Sequence, residues 1–187
     1  MRIIAGIAKG VRLKGRSSKY LRPTPNVVRE GLFSILGGSI EGSSFLDLYA
    51  GTGAVGLEAL SRGAAAAVFV ERRPELARVI RENLRAAHLE ERATVICADG
   101  PRTVERLASE GQRFDFVFAD PPYYTGANEV LERMQSILTE KAILIWQHSK
   151  REAAPALAHL PQTAQRAFGD TLLTFYRSPQ TATPENP

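Results

Sequence analysis

A chain of 187 residues, 44% hydrophobic and 24% charged, has the size and composition of one soluble, catalytic-sized domain with room for a small appendage. It has no apolar run near the roughly 18 residues of a membrane span and no signal-peptide core, so a cytoplasmic protein is expected rather than a membrane or secreted one. The net charge of +4 is uneven, with +7 in residues 1–30 and −3 in the rest, which points to a polyanionic partner at one end, nucleic acid above all.

In chain order, Arg2-Ile3-Ile4-Ala5 and Val11-Arg12-Leu13-Lys14 read as two short strands around a glycine-bounded turn. Such a basic hairpin, assigned to residues 1–20, is marginal alone and must lean on the domain or on its partner. Its Arg2, Lys9, Arg12 and Lys14, with Arg16 and Lys19 in the connector and Arg22 beyond, form the candidate RNA-binding set. The stretch from Leu21 to Leu36 reads as a capped helix, with Thr24 as N-cap and Pro25 at the first helical position. Val28, Leu32 and Ile35 or Leu36 make its apolar stripe, while Arg29 and Glu30 lie on other faces, free to reach a ligand or to pair at the surface.

Strands at 44–48, 67–71, 93–97, 114–119 and 141–147 then alternate with helices at 54–62, 74–87, 101–110 and 127–137. Runs such as Phe116-Val117-Phe118-Ala119 and Ala142-Ile143-Leu144-Ile145-Trp146 fit strands buried on both faces of a parallel sheet. Cys97, the one cysteine, is expected as a small buried side chain in its strand, and no Cys/His cluster has zinc spacing, so no metal is expected. Near the end, 165–168 and 171–176 flank only Gly169-Asp170, so they pair antiparallel at the sheet edge. The main body, with its leading capped helix, is placed at 21–177 and a disordered tail at 178–187.

The chemistry concentrates in two stretches. Asp47-Leu48-Tyr49-Ala50-Gly51-Thr52-Gly53-Ala54-Val55-Gly56 is a strand end, a glycine turn and a helix start, where free N–H groups can meet a ligand. Glu71, at the end of the next strand, suits two ribose hydroxyls, and Asp99 suits an adenine amine; the alternative for each is a loop cap. These features fit a nicotinamide or flavin dinucleotide as well as S-adenosylmethionine. Asp47 favours the latter, because a carboxylate there attracts the cationic sulfonium–amino acid half and repels a pyrophosphate. The second stretch, Asp120-Pro121-Pro122-Tyr123, follows a strand on the same sheet edge and sets two acceptors, the Asp120 carboxylate and the Pro121 carbonyl, beside an aromatic plate, Tyr123. Two acceptors on an exocyclic amine draw its nitrogen toward tetrahedral geometry and expose the lone pair, which suits methyl transfer without a metal. His88, His148 and His159 are scattered and read as structural or surface residues.

Arg2-Ile3-Ile4-Ala5-Gly6, Leu21-Arg22-Pro23-Thr24, Val28-Arg29-Glu30-Gly31-Leu32-Phe33, the Asp47–Leu60 block with Ser61-Arg62-Gly63-Ala64, and Asp120-Pro121-Pro122-Tyr123 together resemble the bacterial 16S ribosomal RNA guanine-N2 methyltransferase family of the RsmD type, over about residues 2–177. The resemblance implies a Rossmann-like class I S-adenosylmethionine-dependent fold, a mostly parallel sheet with a C-terminal antiparallel hairpin, and methylation of one guanine in 16S rRNA within the 30S subunit or an assembly intermediate. It implies S-adenosyl-L-methionine as cofactor; a monomer is expected separately, because no heptad or exposed apolar helix argues for a dimer. Carried onto this chain, Asp47, Tyr49, Gly51, Gly53, Glu71, Asp99 and Asp120 line the cofactor pocket, Thr24 and Arg29 belong to a loop-helix closing over it, and Asp120, Pro121 and Tyr123 handle the guanine amine. Asn26 stands where many relatives have Asp, and Gln147-His148 where a carboxylate is common. The rival enzyme reading is an adenine-N6 methyltransferase on DNA or RNA; the rival non-enzyme reading is a silent RNA-binding or ribosome-assembly factor.

Overall fold

The computed structural model describes residues 1–15, 24–121 and 127–177. Arg16, Lys19, Arg22, Tyr123 and the 178–187 segment lie outside the described residues. The elements are α1 (Asn26–Leu36), β1 (Ser44–Asp47), α2 (Ala54–Ser61), β2 (Ala66–Val70), α3 (Pro74–Ala87), β3 (Ala93–Ile96), α4 (Gly100–Ser109), β4 (Phe114–Ala119), α5 (Ala127–Met134), β5 (Leu138–Ser149), β6 (Gln162–Phe168) and β7 (Thr171–Arg177). They form one seven-stranded sheet in the order β3-β2-β1-β4-β5-β7-β6. Strands β1 to β5 pair in parallel, and β7 pairs antiparallel with both β5 and β6.

The chain runs outward from β1 to β3 and then crosses back to β4, so its direction of winding reverses between β1 and β4. Ligands bind at such a point, beyond the carboxyl ends of the strands. Successive residues of each strand serve opposite faces. Phe45, Phe116 and Ile145 pack with α1, α2 and α3, whereas Leu46, Val117 and Leu144 pack with α4 and α5. Close approach of α2 to the sheet depends on Gly56, where a Cβ would collide with the Phe69 ring.

The amino-terminal hairpin has less strand and more anchorage than its sequence suggests. The two expected strands reduce to a single antiparallel bridge, Arg2 with Arg12, supported by Ile3 N–H donating to the Val11 carbonyl at 3.0 Å. Helix α2 satisfies much of the remaining backbone. Ile4 and Ala5 N–H donate to the two oxygens of Glu58 at 2.8 and 3.0 Å, and Ala8 N–H donates to Ser61 Oγ at 3.0 Å. Ile3, Ala8 and Leu13 are buried with the core, and a Cβ on Gly6 would fall on the Ser61 carbonyl. The ribbon, too short to hold itself, is held by a buried carboxylate.

Two further expectations change. Helix α1 starts at Asn26, and Pro25, extended at ψ 152°, takes the N-cap position, so Thr24 precedes the cap instead of forming it. Cys97 lies just past β3 and is exposed, because β3 is the edge strand and none of its residues is fully buried.

Candidate active site

At the switch point β1 ends in Asp47 and the chain turns sharply toward α2. Tyr49 adopts φ 89°, a left-handed conformation that is strained for a bulky side chain, while Gly51 and Gly53 take φ 55° and 78° without that cost. The turn is held to the sheet by Tyr49 and Ala50 N–H, which share the Val70 carbonyl at 3.1 and 2.9 Å. The Tyr49 ring lies against the start of α4, where a Cβ on Gly100 would come 2.9 Å from it.

Carboxylates converge on this turn. Asp47 is 2% exposed, and its Oδ2 accepts the Gly56 N–H at 2.9 Å. One of the helix-start donors expected to be free for a ligand is therefore already occupied. Burial pushes the Asp47 carboxyl up to about 7, opposed by the Gly56 bond and reinforced by the charges of Asp120 and Glu71. Glu71 uses both oxygens on the backbone, accepting Gly51 N–H and Arg73 N–H, each at 2.9 Å, so it fixes the glycine turn. Asp99 is exposed at the head of α4; its carbonyl accepts from Thr103, and its side chain makes no capping bond.

Asp120 closes the group from the end of β4, half-buried beside Pro121. Its Oδ2 accepts the Gln147 Nε2–H at 2.7 Å. Burial raises its carboxyl to about 7 as well, against the Gln147 bond and with the help of Glu152. Strand register explains the convergence: Asp47, the last residue of β1, pairs with Phe118, two residues before Asp120, and Ala119 pairs with Trp146, so Asp120 and Gln147 follow at one level on the neighbouring strands.

The remaining candidates separate from this cluster. Arg29 is fully buried, and its Nη2 donates to the Arg2 carbonyl at 2.8 Å and to Asn26 Oδ1 at 2.9 Å. Nη1 reaches the carbonyl of Ala54, the first residue of α2, at 3.4 Å, and burial lowers the guanidinium pKa. Thr24 is half-buried just before α1. Arg2, Lys9, Arg12 and Lys14 are all exposed on the hairpin, with Lys14 Nζ paired to Glu82 at 2.9 Å. His148 is structural: it is buried, with Nε2 2.8 Å from Thr174 Oγ1 and Nδ1 beside two backbone carbonyls.

Sequence reasoning missed two participants. Glu58 gave no signal, because an acid in a helix reads as solvent-facing, although Ile4 and Ala5 lie more than fifty residues away from it. Gln147 registered only as a place where a carboxylate is usual. Among the described residues no cluster of His, Cys, Asp and Glu could hold a metal ion, and no helix is long and apolar enough to cross a membrane.

The sheet order, the glycine turn and the strand-end carboxylates define a class I, Rossmann-like S-adenosylmethionine-dependent methyltransferase. The Conserved hypothetical protein 95 family matches over residues 1–177, and this chain belongs to it, among methyltransferases of the RsmD type. It is 31% identical over 181 residues to Bacillus subtilis YlbH, provisionally named an rRNA methyltransferase, covering 95% of this chain and 98% of that one. It is 39% identical over 129 residues to the ribosomal RNA small subunit methyltransferase D of Escherichia coli K12, covering 69% and 63% of the two chains. The solved structure of Escherichia coli yhhF, provisionally named a methyltransferase, superposes with a TM-score of 0.83 at 27% identity, covering 95% of this chain and 97% of the other.

Proposed function

We propose that this enzyme transfers a methyl group from S-adenosylmethionine to the exocyclic N2 amine of a guanine in 16S rRNA, presented by the small subunit or an assembly intermediate. The observation that carries the reading is the pair of carboxylates, Asp47 and Asp120, at the ends of adjacent strands, both pushed up to about 7 by burial. Two such groups in one place are costly unless a cation and a hydrogen-bond donor join them.

The residues present fit the cofactor. Asp47 would take the cationic amino acid end, Glu71 the ribose through the lone pairs its two backbone bonds leave, Asp99 the adenine edge, and Tyr49, Gly51 and Gly53 the turn beneath, with Thr24 at the entrance; Arg29, buried under the hairpin, instead supports the start of α2. When bound, the cofactor supplies an activated methyl on a sulfonium that is already a good leaving group. The Asp120 carboxylate and the Pro121 carbonyl accept the two amine hydrogens, localising the nitrogen lone pair, and Tyr123 stacks on the base. Asp120 also accepts the proton released after transfer. A guanine amine in a duplex lies in a groove, so the target base is unpaired or flipped into the site.

Support for RNA comes from the exposed cations of the hairpin and from the E. coli relative named for small-subunit rRNA methylation. Lys9→Ala with Arg12→Ala is expected to weaken subunit binding and flatten its dependence on salt, by about one counterion per lost phosphate contact, with cofactor affinity unchanged. Lys14 contributes less, because Glu82 already holds it. Filter binding at several salt concentrations reads this out, and equal slopes for variant and wild type would refute it.

Cofactor affinity carries a pH signature. Asp47 and Asp120 are raised above the ordinary carboxylate range to about 7, and the cationic end of the cofactor at Asp47 favours the ionised form of that group. Affinity for S-adenosylmethionine is therefore expected to rise between pH 5.5 and about 7, by up to roughly tenfold per unit, and then to level. The ligand-free protein should lose stability over pH 4 to about 7, because the folded form retains protons that the unfolded chain has released. Titration calorimetry tests the first point, with Asp47→Asn as the variant whose weaker binding loses much of the slope.

The function itself is tested by incubating the protein and labelled S-adenosylmethionine with small subunits lacking the modification, with naked rRNA and DNA in parallel, followed by nucleoside analysis. N2-methylguanosine formed in subunits is the expected product. N6-methyladenine would move the activity to the rival enzyme class, and tight cofactor binding without transfer to any substrate would favour the silent assembly factor.

A further inference from the structure

Gln147 lies near the end of β5, only 8% exposed, one residue beyond the pairing of Trp146 with Ala119. Its Nε2 donates to Asp120 Oδ2 at 2.7 Å, while its Oε1 is buried with no hydrogen-bond partner. A glutamine kept for stability inside a sheet satisfies both ends of its amide, because an orphaned buried carbonyl is destabilising. Here the single polar anchor is Asp120, and the opposite amide orientation would set carbonyl against carboxylate. Asp47 from β1 and Glu152 from the loop after β5 both act on Asp120 with negative charge. Among the described residues no salt bridge offsets them at Asp120. Gln147 is the one donor side chain bonded to it there.

We propose that Gln147 is a positioning residue for the methyl-transfer reaction, fixing one oxygen of Asp120 so that the other faces the amine, and keeping that carboxylate a hydrogen-bond acceptor. The inference rests on the methyl-transfer reading above. An amide offers its N–H at every pH, so the hold on Asp120 does not depend on protonation. A glutamate at the same place would donate only when protonated, and two adjacent carboxyls would share one proton.

The test uses the full chain with Gln147→Met, which keeps length but removes the donor, and Gln147→Glu, which makes the donor conditional. Carboxyl NMR of Asp-labelled protein, with Asp120→Asn for assignment, should place the Asp120 midpoint about one unit higher in Gln147→Met than in wild type. The acidic limb of methyl transfer should move up in parallel, lowering kcat about fivefold at pH 7 with S-adenosylmethionine affinity within threefold. Gln147→Glu, close to isosteric and the safeguard if Gln147→Met folds poorly, should give a bell-shaped profile that loses activity at high pH. An unchanged Asp120 midpoint and an unchanged acidic limb in either folded variant would overturn the proposal. If wild-type protein methylates no RNA, the enzyme reading fails, and the NMR midpoint still decides whether Gln147 governs Asp120.

Discussion

Asp120→Ala is expected to lower methyl transfer by a factor of about 10² to 10³ or more, while S-adenosylmethionine binds within a few-fold of wild type. The loss follows from what the side chain does. An exocyclic amine is a poor nucleophile until its hydrogens are held, and a preorganised acceptor acts on the transition state far more than on the ground state. Removing it leaves the Pro121 carbonyl alone. Cofactor affinity changes little, because Asp47 and Glu71 remain in place on neighbouring strands, and losing the negative charge of Asp120 relieves Asp47 of one repulsion. Asp120→Asn keeps an acceptor oxygen but also presents an N–H, so it should fall between the two. Single-turnover transfer and equilibrium cofactor binding, measured on the same preparations, separate chemistry from binding. Full turnover in Asp120→Ala would remove the residue from the mechanism.

The second large effect is on stability. Glu58 is completely buried and holds three donors: Ile4 N–H, Ala5 N–H and Arg62 Nε, the last at 2.8 Å. Glu58→Ala leaves two backbone N–H groups without their acceptor, and it frees Arg62, which lies 5.0 Å above the centre of the Phe33 ring. Breaking a buried, hydrogen-bonded ion pair from one side costs about 3–5 kcal/mol. For a chain of this size that corresponds to a fall in Tm of roughly 6–20 °C. Glu58→Gln, which keeps one acceptor, should recover part of it. Calorimetry gives the Tm, and limited proteolysis tells whether the hairpin detaches before the body unfolds. A Tm within two or three degrees of wild type would show that water replaces the carboxylate at little cost.

The sequence made the parallel core and the turn at Gly51 and Gly53 legible, because continuous apolar strands and positive-φ glycines are local signals. It also placed Asp47, Glu71 and Asp120 at strand ends, and the sheet order brings those ends together. Other features depend on partners far away in the chain. Nothing around Glu58 announces that it will receive the N–H groups of Ile4 and Ala5, and nothing around Gln147 points to Asp120, twenty-seven residues earlier. The expected cap at Thr24 failed for a different reason: Pro25 can stand at or before the first helical turn, and only its ψ decides. Arg29 looked available to ligands because helix periodicity places it off the apolar stripe; a third layer, the hairpin, covers it.

The last described strand, β7, is an interior strand, hydrogen-bonded on both sides between β5 and β6. During synthesis it therefore leaves the ribosome after both of the strands it pairs with. Until residue 177 emerges, β5 carries a long unpaired edge next to the strand that bears Asp120, and Tyr176 has not yet donated its hydroxyl to the Pro155 carbonyl at 2.8 Å. An open apolar edge is prone to wrong pairing with another chain. A nascent protein would thus stay incompetent until residue 177 is free, and a stop codon even a few residues before Arg177 should yield aggregated product, not a slightly shortened enzyme.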